Sequence, residues 1–172
     1  SAPGNHSDKL GRYLMTHPAA TVFGLFEEET YPHQGVSAGQ LLSHDEYDNK
    51  AAAGGFGSSQ WMIGHAIKPH DLLGYGTGRP DISGPGLEPW LKRAARHLGN
   101  MTLVCEDIAL PENRITLSDK VDSDGIPYAH THHDLAPTAA ARWTQRMAEG
   151  EEIMRSAGAH EVWSGPRIGM HI

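Results

Sequence analysis

The chain has 172 residues, with 14 Lys and Arg against 21 Asp and Glu for a formal charge of −7, and 38% of its residues are hydrophobic. One domain of this length can bury a sizeable core, while scattered cations and an acidic balance exclude a basic nucleic-acid surface. No apolar run approaches the ~20 residues of a membrane span, and the single Cys105 excludes an internal disulfide framework.

Residues 9–17 read as a short helix or turn, followed by an apolar strand over 19–29. The polar stretch 36–50 suits a strand leading into a turn. Residues 51–60, AAAGGFGSSQ, gather small residues and glycine around Phe56, a composition that predicts a mobile loop. A strand is expected over 61–68, and the repeated Pro and Gly of 69–86 predict a long surface loop. From residue 87 the period becomes helical. Leu87, Trp90, Leu91, Ala94, Ala95 and Leu98 form one stripe, Lys92, Arg93 and Arg96 lie opposite, and Gly99 is expected as the C-terminal cap.

Two strands, 101–110 and 114–121, are joined by Pro-Glu-Asn and followed by Ser-Asp-Gly, a hairpin signature. Residues 126–133 make a third strand. A longer helix is expected from Pro137 to about residue 157, with Gly158 as its stop and a stripe of Ala140, Trp143, Met147, Ile153 and Met154 interrupted by Gly150. A last strand covers 160–164. Neighbouring strands with two helices set apart indicate the α+β class. The expected fold is a mainly antiparallel sheet with helices packed on one face and long Gly/Pro-rich loops, in a single domain over 1–172.

The compositional oddity is 12 histidines. The segment AHTHHD places His130, His132, His133 and Asp134 close together, with His130 and His132 on one face of a strand and His133 on the other. An H-x-H pair on one face can chelate a transition metal, with Asp134 as a third donor. A solvent-facing polar strand explains the same pattern. The remaining histidines are dispersed, apart from His171 in the apolar ending GPRIGMHI. No Walker loop, G-x-S-x-G, C-x-x-C or G-x-G-x-x-G fingerprint is present, so the sequence itself offers no cradle for a dinucleotide.

Several stretches, in order, resemble the glucose–methanol–choline family of flavin-dependent oxidoreductases, closest to its pyranose-oxidase and sugar- or gluconate-dehydrogenase-like members. NHSDKLGRYLMTHP (5–18) resembles the family's passage from the flavin domain into the substrate domain, with Asp8 where glycine is usual. CEDIALPENRITLSDKVDSDGIP (105–127) resembles the substrate-domain hairpin, in which Asn113 and Arg114 would have a turn-forming role. IMRSAGAHEVW is a familiar ending, and the final MHI resembles the start of H-x-x-G-G-T-x-R-M-G.

The resemblance implies that 1–172 is the substrate-binding domain of a larger FAD-dependent enzyme, cut just after its active-site histidine and lacking the FAD-binding domain. FAD would take a hydride from a CH–OH group of an alcohol or sugar while His171 accepts or orients the hydroxyl proton, a task suited to an imidazole of pKa about 6.5. Gly55, Phe56 and Gly57 match the family's active-site loop in position, where a mobile aromatic covers the substrate. The implied partners are a small alcohol or sugar and the missing FAD-binding domain, with no nucleic acid and no membrane span. The fragment alone is expected to be inactive and without bound FAD. The alternative is a stand-alone metal-binding protein or hydrolase built on His130, His132 and Asp134.

Overall fold

A computed structural model describes residues 4–36, 41–47, 58–77 and 79–170. Among these, β1 (His17–Leu25), β2 (Leu41–Ser43), β3 (Ser59–Ile63), β4 (Leu98–Cys105), β7 (Glu161–Ser164) and β8 (Ile168–Met170) form one antiparallel sheet in the order β2-β3-β4-β1-β7, with β8 also on β1. The strands β7 and β8 share one edge of β1. β7 pairs with Val22–Leu25 and β8 with His17–Ala19, and Gly165 N–H donates to the Thr21 carbonyl between them. β1 and β4 are buried along nearly their whole length, as central strands must be when both faces are covered. The antiparallel α+β architecture is the one expected from the sequence.

Alternation along the strands divides the core in two. Ala20 and Val22 of β1, Trp61 of β3, and Met101, Leu103 and Cys105 of β4 face one side, against Met147 and Met154 of α3 (Pro137–Ser156). Phe23, Leu25 and Leu98 face the other side, against Leu72 of α1 (Pro69–Thr77) and Trp90 and Ala94 of α2 (Leu87–His97). The long helix therefore takes one face alone, and the two short helices close one end of the opposite face.

Close approach is made possible by missing side chains. A Cβ on Gly150 would lie 2.2 Å from the Trp61 ring, so α3 sits on that ring only because position 150 has none. Gly24 and Gly99 pair across β1 and β4 beneath Phe26. Gly99 is consequently a strand residue and no helix cap. α2 ends at His97 and the chain enters β4 directly at Leu98, whose backbone is extended. The expected stop at Gly158 is present: at φ +99° it follows α3, its N–H donates to Arg155 O, and Ala159 N–H donates to Met154 O.

Two further expectations are corrected. Residues 69–86 are no continuous loop, because 69–77 form α1, followed by 3₁₀ turns at Pro80–Ile82 and Gly84–Gly86. Pro69 suits the first helical position, and the Asp71 carboxylate accepts the Lys68 backbone N–H at 2.9 Å. Gly76 is there for packing, since a Cβ would meet the Trp90 ring at 2.9 Å. The second correction concerns the hairpin. β4 does not pair with the next strand, because both its neighbours are already β1 and β3. Instead β5 (Arg114–Val121) and β6 (Pro127–His132) form a separate two-stranded sheet around the turn at 122–125.

Candidate functional site

The small sheet is tied to the body by buried polar groups. Asn113 is fully buried. Its amide nitrogen donates to Asp134 O at 2.9 Å and its amide oxygen accepts the Asp134 N–H at 2.8 Å, joining the entry of β5 to the exit of β6. Asp107, also buried, accepts the Thr16 N–H at 3.0 Å, the Ile108 N–H at 2.7 Å and a 2.6 Å contact with His133 Nε2. One carboxylate therefore links the approach to β1, the segment after β4 and the segment after β6. The turn before β1 packs as tightly, with Gly11 at φ +76° accepting the Ile115 N–H on its carbonyl. Asp8 adopts φ +52°, a left-handed conformation that aspartate tolerates better than most residues. Arg12 holds the Asp8 carboxyl below its ordinary pKa, through a 2.6 Å ion pair.

At this end of the sheet, the face opposite α3 is not covered by α1 or α2. Gln60, Met62 and Val104 form the wall there, since their neighbours Trp61, Leu103 and Cys105 point toward α3. With Met15, Thr16 and His17 at the start of β1, and Tyr47, Ser58, Glu106 and Asp107 around it, they line an open cavity of about 960 Å³. That volume is in the range of small-molecule sites. Cys105 and Ser59 border the cavity as well, with side chains that strand alternation turns toward α3. Burial pushes the Cys105 thiol up to about 11, so it is no nucleophile near neutral pH. A second cavity of about 450 Å³ lies at the other end of the sheet, between Phe26, Tyr31, Ile63, Leu98 and Met154.

His171 and the loop residues Gly55, Phe56 and Gly57 lie outside the described residues. Their described neighbours in sequence both belong to the large cavity's surroundings. Ser58 lines it, and Met170 pairs in register with His17, which lines it too. The histidine cluster is divided. His133 turns inward to Asp107, while His132 Nε2 approaches Asp134 Oδ2 at 3.4 Å on the exposed side. Among the described residues no group of three or more His, Cys, Asp or Glu side chains is arranged to hold a metal, so His130, His132 and Asp134 are not gathered into a ligand set. Trp61 is core, and Trp163 stacks on Phe23 at 5.4 Å with the Arg79 guanidinium 4.6 Å from its ring centre.

Neither do the described residues fit the nucleotide half of FAD. Gly74 and Gly76 of the glycine-rich stretch GYGTGRP lie within α1, where Gly76 receives Trp90, and no strand–glycine turn–helix unit is present among them. The wall residues His17, Gln60 and Glu106 escaped sequence reasoning because they come from three separated strand ends and share no spacing. His17 and Glu106 fall within recognisable stretches, 5–18 and 105–127, and Gln60 within none. In comparisons with known proteins, no protein-family model and no curated protein matches this chain. No helix among the described residues is long and apolar enough to cross a membrane.

Proposed function

We propose that this chain supplies the substrate side of an FAD-dependent oxidoreductase of the glucose–methanol–choline type, which oxidises a CH–OH group of an alcohol or sugar. The observation that carries the reading is the convergence at the large cavity. The segment holding Gly55, Phe56 and Gly57 runs into Ser58 on its wall, and the strand leading to His171 pairs with His17 on the same wall. FAD, bound by a nucleotide-binding unit outside these 172 residues, would accept the hydride. On this reading His171 takes or orients the hydroxyl proton, Phe56 and its glycines exclude water, and Gln60 and Glu106 hold the substrate's other hydroxyls.

The test uses the full-length gene product, whose visible spectrum should show an oxidised flavin that bleaches when alcohols or sugars are added without oxygen. In a His171→Ala variant bleaching should slow by roughly 10²–10⁴-fold, the usual contribution of general acid–base catalysis. A colourless protein, or a flavin that no alcohol or sugar reduces, overturns the proposal.

A further inference from the structure

We propose that Glu106 makes this cavity selective for uncharged polyhydroxylated substrates over those bearing a carboxylate, an inference that rests on the cavity being the substrate site. Among the described residues lining it there are two carboxylates, Glu106 and Asp107, and no Lys or Arg. The two carboxylates differ in what remains free. Asp107 is buried and already holds Thr16, Ile108 and His133. Glu106 is exposed and uses one oxygen, accepting the Ser58 N–H on Oε2 at 3.1 Å, while its own N–H donates to Ser58 O at 3.0 Å. That reciprocal pair fixes the side chain at the cavity wall, and Oε1 has no hydrogen bond among the described residues.

The cations of the neighbourhood are matched elsewhere. Arg142 and Arg146, which bear on the Cys105 thiol from α3, contact Glu46 at 2.6 Å and Glu149 respectively. Among the described residues of the wall, therefore, no Lys or Arg balances Glu106, and His17 is the one imidazole. A sugar hydroxyl donates well to such a carboxylate. Gln60, Thr16 and Tyr47 add neutral polar groups, and Met15, Met62 and Val104 offer an apolar surface for C–H faces. A second carboxylate ~5 Å from Glu106 is disfavoured by roughly fourfold at the dielectric of water and by nearly three hundredfold at that of a protein surface.

The experiment compares glucose and gluconate as reductants of the full-length protein's flavin, in wild type and Glu106→Gln, alongside their binding to the same proteins by ligand-observed NMR. Gln keeps an oxygen to accept the Ser58 N–H and removes the charge. Wild type should favour glucose over gluconate by at least about fivefold, Glu106→Gln should reduce that ratio to about one, and 1 M salt should weaken the wild-type preference. Glu106→Lys should reverse it. Equal use of gluconate by wild type, or an unchanged ratio in Glu106→Gln, overturns the proposal. If no compound reduces a flavin, the oxidoreductase reading falls. The NMR arm still decides the selectivity then: binding of glucose over gluconate that depends on Glu106 upholds it, and equal or absent binding overturns it.

Discussion

Cys105 shows how little a residue's identity says before its surroundings are known. A lone thiol beside a cavity invites a catalytic reading, yet it turns toward α3, and burial there raises its pKa from 9.0 to about 11 and leaves it neutral. Two outcomes follow. Iodoacetamide at pH 8 should label Cys105 at least about a hundredfold more slowly in the native protein than in urea, read by mass spectrometry. The protonated thiol binds its proton more tightly in the folded state, so its contribution to stability is complete below the unfolded value near 9 and is lost as pH rises through about 11. Urea midpoints of wild type measured between pH 8.5 and 11 should therefore fall more steeply than those of Cys105→Ala.

For the elements, helix α3 and the sheet depend on a contact that helix propensity would argue against. Glycine inside a helix costs about 1 kcal/mol relative to alanine, and by propensity alone Gly150→Ala should stabilise. Packing decides the sign the other way. The new methyl would meet Trp61 at 2.2 Å, beneath a ring that is itself enclosed between β3 and α3, so the helix must lift or the ring must leave its site. Overpacking of this kind costs about 1–3 kcal/mol. Thermal unfolding of Gly150→Ala should show a lowered Tm, and a raised Tm would mean that α3 does not rest on Trp61. The same reasoning explains the helix hidden in 69–77, where glycine signals contact with Trp90 and no break in the chain.

Across the whole molecule, the separate β5–β6 sheet is tied to the body by Leu14 N–H donating to the buried Asn113 carbonyl, by Ile115 N–H donating to Gly11 O, and by His133 on the buried Asp107. His133→Ala would leave the buried Asp107 carboxylate short of one partner, a loss worth about 1–3 kcal/mol. Hydrogen exchange should then speed up in β5, β6 and the approach to β1, while the central β1–β4 ladder stays the slowest-exchanging part of the chain. Uniform acceleration everywhere would show that the small sheet unfolds together with the large one. If the cavity is the substrate site, as proposed, the same variant should also weaken substrate binding in the full-length protein, because Asp107 lines the cavity although His133 does not.

What the sequence determined by itself was local: the apolar strand of β1, the stripe of α2, that of α3 apart from the exposed Ile153, the left-handed glycine after α3, and the strand HEVWS. Each is encoded in a periodicity or a backbone preference within a few residues, so neighbours in sequence suffice to read it. Which strand pairs with which was decided only by the tertiary structure. β4 lies between β1 and β3 because it is apolar on both faces, and that left β5 to pair with β6 rather than with β4. The division of His130, His132 and His133 was decided in the same way, by a buried carboxylate at Asp107 26 residues before His133. So was the cavity, whose walls come from the ends of β1, β3 and β4 and become a site only when the sheet assembles and the helices leave that part of its face open.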